Sequence, residues 1–262
     1  MKLFDTHCHL VDEAFQSDLE EVLARAMAAG VQSMVIPGVD AASSELAVRL
    51  AERHPSLFAA VGIHPESALS AGEQEFATVA RLSLHPKVVA IGEIGLDYHW
   101  DTAPRPVQHD VFARQIQLAT EMHLPVIVHN RESTADVLNI LRRENVGRVG
   151  GVMHCFTGSL ETAEECIQMG LFLSFGGPVT FKNARNVHAV AAHVPSEWLL
   201  VETDSPYLTP HPHRGTRNEP AMVRLVAEQL AQLRGVEVEA LAEQTYANAL
   251  RLFQKAEESS RG

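Results

Sequence analysis

Two histidines, His7 and His9, stand at the end of the first apolar run of the chain, in the stretch DTHCH. If this run is a strand, its side chains alternate between two faces, so both imidazoles share one face and Cys8 takes the other. Paired imidazoles are suitable ligands for a divalent metal ion. They are also typical of polar positions where a strand meets a loop, and the pair alone does not separate the two interpretations.

Further ionisable residues directly follow apolar, β-branched runs elsewhere in the chain. They are His64, Glu93, His129, His154, Glu202 and Asp204. Other histidines, namely His54, His85 and His123, instead precede such runs, and this position is typical of helix C-termini, where the macrodipole favours them. The histidines therefore divide into a structural group and a group that is a candidate for chemistry.

Eight short apolar runs alternate with amphipathic segments from one end of the chain to the other. The runs are LFD, VQSMVIPG, LFAAVGIHP, VVAIGEIGLD, LPVIVHN, VGGVMHCF, LFLSFGG and WLLVETD. Strands buried on both faces read as continuous apolar runs, and strand–helix alternation is typical of parallel strands with helical crossovers. This pattern predicts an α/β fold, a TIM-type (β/α)8 barrel, in a single domain over residues 1–254 with a polar tail over 255–262.

Catalytic residues of such barrels lie on loops at the C-terminal ends of the strands. The ionisable residues that follow the apolar runs are therefore expected at one end of the fold. Four or five imidazoles with two or three carboxylates make a metal centre the simplest explanation. Alternatively, each of these polar residues contacts loop backbone or water on its own.

The composition of the chain excludes some functional classes and indicates a cellular compartment. The chain has 262 residues, a net charge of −12 and three cysteines without CxxC spacing. The charge argues against sequence-independent binding of long duplexes, but not against a nucleic-acid substrate that metal ions hold locally. The cysteines indicate a reducing compartment. Without a signal-peptide pattern or a run near the ~20 apolar residues of a membrane span, we expect a cytoplasmic protein with no membrane association. No obligate protein partner is evident.

Seven stretches carry a resemblance to a known family. They are FDTHCHL, VGIHPE, IGEIGLDYHW, LPVIVHNRES, GVMHCFTGS, LLVETDSPYL and HRGTRNEP, in order from residue 4 to 220. The sequence resembles the TatD-type metal-dependent deoxyribonucleases, within the amidohydrolase-like superfamily. The resemblance implies a TIM barrel with two divalent metal ions and hydrolase activity, commonly of the 3′–5′ exonuclease or DNase type. Zinc, magnesium and manganese all remain candidates, because imidazoles suit the first and carboxylates with phosphate suit the others.

The resemblance also implies the metal ligands, which are His7, His9, Glu93, His129, His154 and Asp204. His7 and His9 would bind one ion with Glu93 and Asp204. Glu93 would bridge to the second ion, which His129 and His154 also hold, because a carboxylate has an oxygen for each ion. We expect metal-bound water to attack phosphorus while Asp204 orients it and accepts its proton.

Two further carboxylates, Asp5 and Glu202, share strand parity with predicted ligands. They are expected to support the site, because metal-bound imidazoles usually donate their second N–H to a carboxylate or carbonyl. A structural ion pair is an equally good interpretation of each.

Substrate contacts are expected from His64, Arg131, Arg214 and Asn218. His64 is a catalytic candidate, either as a proton relay or as a direct phosphate contact. Arg214 and Asn218 lie in the loop after the eighth run, where barrels often hold phosphate, although a solvated surface charge is the alternative for each arginine. Tyr98 and Trp100 either stack on bases or cap the barrel.

These residues predict hydrolysis of phosphodiester bonds in DNA or a nucleotide, at single strands or ends. Two alternatives remain open. The same metal site could hydrolyse a carboxylic ester or amide, as in a D-aminoacyl-tRNA deacylase, because one scaffold hosts many reactions. A non-catalytic metal-binding or scaffold protein is less consistent with six filled ligand positions.

Overall fold

A computed structural model describes residues 1–100 and 102–256 of the chain. Within these residues eight strands form one sheet in chain order. The strands are β1 (Leu3–Asp5), β2 (Val31–Pro37), β3 (Leu57–Val61), β4 (Val88–Asp97), β5 (Val126–Arg131), β6 (Gly151–Met153), β7 (Leu171–Phe175) and β8 (Leu199–Val201). Most of the predicted polar tail, residues 257–262, lies outside the described residues, and the domain boundary at residue 254 stays a prediction.

Helices alternate with the strands. They are α1 (Leu19–Ala28), α2 (Ala41–Arg53), α3 (Glu73–Ser83), α4 (Arg105–Met122), α5 (Thr134–Arg143), α6 (Leu160–Gln168), α7 (Arg185–His193), α8 (Val223–Arg234) and α9 (Val238–Leu252). The parallel pairing and the sequential strand order are those of the predicted TIM-type (β/α)8 class. Within residues 1–100 and 102–256 we find no helix that combines the length and apolarity of a bilayer span.

The apolar runs form strands because they are buried on both faces. All ten residues of β4 are buried, as are all five of β3 and of β7. The histidines expected at helix ends are found there: His54 ends α2, and His123 ends α4 in the left-handed region with φ 54°. The predicted division of the histidines into structural and candidate groups is confirmed for these two.

By its internal contacts the chain divides into two units. The first comprises residues 1–36, 155–167 and 172–251, and in it β1 pairs with β2 and β7 with β8. Thr6 N also donates to Val201 O at 3.1 Å, joining the C-terminal ends of β1 and β8. The second unit comprises residues 37–154 and 168–171 and continues from residue 252, and in it β3 to β6 pair in order.

Two buried glutamines of α4 hold the backbone at the ends of β3 and β4. Gln108 and Gln115 lie two helical turns apart and therefore share one face of α4. Gln115 accepts a hydrogen bond from Ile63 N at 2.7 Å and donates one to Ile63 O at 2.9 Å. Gln108 does the same for Asp97, at 2.9 and 3.0 Å. Each amide thus fixes both polar groups of one buried residue at a strand end.

We expect Gln115→Leu to lower the free energy of unfolding by about 2–3 kcal/mol, because it leaves the N–H and C=O of Ile63 buried without this partner. Chemical denaturation monitored by circular dichroism would measure the change. Gln117→Leu, at an exposed position of the same helix, is the matched control and should change stability by less than about 0.5 kcal/mol. Equal losses of stability in the two variants would contradict this stabilising role of Gln115.

Candidate metal centre

The first unit contains a cluster of two imidazoles and one carboxylate. The Nε2 atoms of His7 and His9 lie 3.1 Å apart, and they lie 3.6 and 3.3 Å from Oδ1 of Asp204. The His7 side chain is fully buried, whereas the side chains of His9 and Asp204 are 14% and 13% exposed. Three atoms of types that can ligate a metal ion therefore lie close together, and two of their side chains are partly exposed to solvent.

Backbone hydrogen bonds between the ends of β1 and β8 place this cluster. Asp204 N donates to His7 O at 2.9 Å, and His9 N donates to Ser205 O at 2.8 Å. The parallel pairing thus continues beyond both strands and sets the carboxylate beside the imidazoles. Asp204 has a φ of 57°, in the left-handed region, which aspartate adopts more readily than most residues.

Asp5 and Glu202 are both buried in the first unit. Asp5 accepts hydrogen bonds from Thr203 N at 2.9 Å, from Thr203 Oγ1 at 2.6 Å and from His7 N at 3.3 Å. Burial raises the pKa of Asp5 to about 8, although these hydrogen bonds act to lower it. Glu202 accepts from Cys155 N at 2.6 Å. Asp5 therefore holds the backbone of His7 rather than its ring.

The second unit contains a similar cluster around Glu93 of β4. Its Oε1 atom lies 2.9 Å from Nδ1 of His129 on β5 and 3.0 Å from Nε2 of His154, which follows β6. The two nitrogens are 3.3 Å apart. Ligand atoms about 2.0–2.1 Å from one tetrahedral ion lie about 3.3–3.4 Å from each other. The spacing in both clusters therefore fits the ligands of a single ion in each.

His64 lies beside the second cluster but is not placed as a ligand. Its Nε2 is 3.5 Å from Oε1 of Glu93, so His64, Glu93 and His129 also have the spacing of a ligand set. However, Nδ1 of His64 accepts a hydrogen bond from Glu66 N at 3.2 Å. The neutral ring therefore carries its proton on Nε2, where it can donate but cannot bind a metal ion. Burial keeps this ring neutral by lowering the pKa of His64, although Glu93 acts to raise it.

Asp97, at the end of β4, is a candidate site residue that the sequence analysis missed. His129 donates from Nε2 to Oδ2 of Asp97 at 2.9 Å, which leaves Nδ1 to face Glu93. The other oxygen of Asp97 accepts hydrogen bonds from the backbone of His99 and Trp100 at 2.9 and 3.1 Å. Burial acts to raise the pKa of Asp97, but these hydrogen bonds outweigh it and lower the pKa to about 2. Asp97 thus fixes the orientation of a predicted ligand.

The signal for Asp97 was the spacing along its strand. Glu93 and Asp97 are four residues apart in GEIGLD, so they share a face of β4. The same parity rule singled out Glu202 and Asp5.

Both predicted substrate-binding arginines are exposed and lie beside aromatic rings. Arg131, at the end of β5, has its guanidinium carbon 5.5 Å from the ring centre of Trp100. Arg214, in the loop after β8, has its guanidinium carbon 4.1 Å from the ring centre of Phe181. Their roles in substrate binding stay predictions.

Asn218 is fully buried and organises the loop after β8. Its amide nitrogen donates to Thr203 O at 2.9 Å and to Tyr207 O at 2.6 Å, while its amide oxygen accepts from Glu219 N at 2.9 Å. These contacts hold together the start and the end of the loop. The structure thus gives Asn218 a positioning role, and its predicted contact with substrate stays a prediction.

An ion-pair network holds the same loop against α1. Arg217 donates to both oxygens of Asp18 at 2.8 and 2.7 Å. Arg25 of α1 donates to Asp18 at 3.3 Å and to Glu219 at 2.7–3.1 Å. The hydrogen bond with Arg217 lowers the pKa of Asp18 to about 2, although partial desolvation acts to raise it. The loop after β8 is therefore fixed at its far end as well.

Comparison with known proteins assigns the family. Residues 4–254 match the family described as TatD related DNase. The chain belongs to this family. This confirms the resemblance predicted from the seven stretches, and it identifies a TatD-family hydrolase whose buried His, Glu and Asp clusters are consistent with a metal site.

Several TatD relatives are similar over nearly their whole length. YabD of Bacillus subtilis, an uncharacterized metal-dependent hydrolase, is 51% identical over 251 residues, with 96% of this chain and 98% of the relative covered. The 3′-5′ ssDNA/RNA exonuclease TatD of Salmonella typhimurium is 34% identical over 258 residues, with 96% and 99% covered. The crystal structure of YJJV, a TatD homologue from Escherichia coli K12, is 33% identical with a TM-score of 0.92, covering 96% of this chain and 98% of the other. That likeness confirms the predicted fold class.

We expect Asp97→Ala to weaken binding of a divalent ion by about 10–100-fold, because the His129 ring loses the carboxylate that orients it. Isothermal titration with Zn²⁺ and with Mn²⁺ would measure the affinity, and circular dichroism would verify the fold. Asp110→Ala removes an exposed carboxylate from α4 and serves as the matched control. Unchanged affinity in a folded Asp97→Ala protein would show that His129 needs no such support.

Proposed function

We propose that this protein is a divalent-metal-dependent nuclease that removes nucleotides from the 3′ end of single-stranded DNA. The observation that carries the proposal is the pair of clusters, each with two imidazole nitrogens and a carboxylate oxygen no more than 3.6 Å apart. The choice of a phosphodiester bond is supported by the TatD related DNase family and by the relative named as a 3′-5′ ssDNA/RNA exonuclease.

One divalent ion would be held by His7, His9 and Asp204, and one by Glu93, His129 and His154. Zinc, magnesium and manganese each suit part of this ligand set. When bound, such ions supply an activated water and neutralise charge on the phosphoryl oxygens. The role of Glu93 as a bridge between the two ions stays a prediction from the family resemblance.

Asp204 is the proposed general base. Its side chain is 13% exposed, as is that of His9 at 14%, so an attacking water can approach the carboxylate. A carboxylate fixed by the pairing of the β1 and β8 ends can orient that water and accept its proton.

His64 is the proposed donor to the phosphate. Its Nδ1 is occupied by Glu66 N, so Nε2 presents an N–H beside Glu93. An N–H at this place can bind an anionic phosphoryl oxygen or the leaving oxygen. In this tautomer the Nε2 atom of His64 can only donate. Of the roles expected from the sequence, His64 can therefore contact a phosphate or give up a proton, but it cannot accept a proton at Nε2.

Trp100 is the proposed stacking surface for a base, and Tyr98 is not. The Tyr98 hydroxyl lies 2.5 Å from Oδ2 of Asp136 and 2.6 Å from Nε2 of His109, and Arg105 covers its ring at 4.1 Å. Trp100 is 50% exposed. A base can stack on an exposed indole only when it is unpaired, which favours single strands and ends.

A panel of oligonucleotides labelled at either end tests the proposal. With Mg²⁺, Mn²⁺ or Zn²⁺ we expect stepwise shortening of single strands from the 3′ end, abolished by a chelator and restored by the ion. Shortening from the 5′ end, or faster hydrolysis of carboxylic esters and lactones than of any oligonucleotide, would overturn the assignment of the bond.

In the same assay Asp204→Asn should lower kcat by at least about 100-fold, because the water loses its proton acceptor. Asp110→Asn is again the control, since it removes a distant exposed carboxylate. The folded state of Asp204→Asn should be unchanged by circular dichroism. Near-normal turnover in that variant would rule out the role of Asp204.

We expect Trp100→Ala to raise KM for a single-stranded oligonucleotide by about tenfold, the equivalent of losing one stacked base. The same substitution should leave hydrolysis of bis(p-nitrophenyl) phosphate unchanged, because this ester carries no nucleobase. Tyr98→Phe is the companion variant and should leave KM for the oligonucleotide unaffected. A larger effect from Tyr98 than from Trp100 would reverse the assignment.

A further inference from the structure

Two segments that lie mainly in the first unit differ in charge from the rest of this acidic chain. Asp and Glu account for 33 of 262 residues, yet residues 166–196 and residues 205–218 contain none. The first segment contains Lys182 and Arg185, and the second contains Arg214 and Arg217. Both segments supply loops at the C-terminal strand ends, after β7 and after β8, and the second directly follows Asp204.

The two loops run side by side. The carbonyl of Leu208 passes so close to Gly177 that a Cβ at this glycine would have no room. Three residues further along each loop, His211 N donates to Thr180 Oγ1 at 2.8 Å.

Next along the two loops, the guanidinium of Arg214 stacks on the Phe181 ring. These contacts follow one another in the same order along both loops. The exposed residues of the two loops therefore form one face. The cationic surface, as we name it, comprises Lys182, Arg185, His211, His213 and Arg214.

The charges of the cationic surface are not neutralised within the described part of the chain. No carboxylate of residues 1–100 or 102–256 lies within 4.0 Å of the charged nitrogens of Lys182, Arg185 or Arg214. Arg217 provides the contrast, because Asp18 binds it at 2.7 Å. Cations that a fold leaves exposed and unmatched, in a chain with net charge −12, mark the face that an anion can approach with least repulsion.

We propose that the cationic surface binds the phosphodiester backbone of a single-stranded nucleic acid. The proposal rests on the proposed function and adds to it a contact with nucleotides that are not being removed. Charges spread over two parallel loops suit a chain of phosphates. Arg214, whose guanidinium lies over the Phe181 ring, can also form paired hydrogen bonds to one phosphate.

The test compares two double charge reversals. Lys182→Glu with Arg185→Glu alters the cationic surface, and Arg53→Glu with Arg148→Glu alters two exposed cations that precede strands, with the same change in net charge. Binding of a labelled single strand of about 20 nucleotides would be followed by fluorescence anisotropy in the presence of a chelator. Turnover would be measured on the same strand and on a dinucleotide, over a range of salt concentrations.

We expect the reversal at Lys182 and Arg185 to weaken binding of the long strand at least about tenfold, and to reduce the slope of log affinity against log salt by about 1.4, or 0.7 for each lost phosphate contact. KM for the dinucleotide and kcat for both substrates should stay unchanged. The neutral pair Lys182→Gln with Arg185→Gln should show a smaller loss in the same direction. The reversal at Arg53 and Arg148 should have no effect.

The proposed role of the cationic surface would be overturned by equal losses for the long strand and the dinucleotide, by equal losses from the two reversals, or by no binding of the long strand to the wild-type protein. Binding of phosphatidylserine vesicles in preference to the strand would also overturn it. The proposed function is tested separately. If the protein binds the strand through this surface but does not shorten it, the binding role of the surface stands and the nuclease assignment is wrong.

Discussion

Electron-rich atoms held about 3 Å apart at largely buried strand ends, in each of the two units, are the constraint on which the rest of this structure depends. In the first cluster two imidazole nitrogens are 3.1 Å from each other, and in the second a carboxylate oxygen lies 2.9 and 3.0 Å from two more. Groups of this kind lose hydration on burial and gain stability only from protons or cations that they share. A flexible chain would separate them. Their placement at the rigid ends of paired strands prevents this.

The two units fix their clusters by a common principle, in which a buried carboxylate joins a backbone segment to a histidine. In the first unit Asp5 accepts from Thr203 and from the His7 backbone, and so connects the β1 and β8 ends. In the second unit Asp97 accepts from the chain that follows β4 and from the His129 ring, and Gln108 holds Asp97 in turn. The positions of the candidate ligand atoms are thus set by buried hydrogen bonds that do not involve those atoms.

Patterns with a fixed period predicted most of the fold and the grouping of ionisable side chains at the strand ends. The strand order and the clustering of Glu93, His129 and His154 follow from apolar runs, side-chain alternation and the rule that parallel strands end together. The loop after β8 was less predictable. Asn218 and Arg217 are equally polar neighbours of Arg214 in sequence, yet one is buried against backbone and one is paired with Asp18, because residues about 15 and 200 positions away decide their environment. No local pattern records contacts of that kind. The alternation of side chains along β4 could have predicted Asp97, because it places Asp97 on the same face as Glu93. A carboxylate in GLDY is, however, equally typical of the start of a loop.

The side-by-side course of the loops after β7 and β8 has a consequence for how such a chain can diverge. The close approach at Gly177, the hydrogen bond at Thr180 and the ring stacking at Phe181 each depend on the count of residues from Asp204 onward. An insertion or deletion between positions 205 and 217 would shift every later contact and displace the Asp204 carboxylate from the two imidazoles beside it. New substrate preferences in this region should therefore arise through exchange of side chains at constant loop length, unlike the length variation that surface loops ordinarily tolerate.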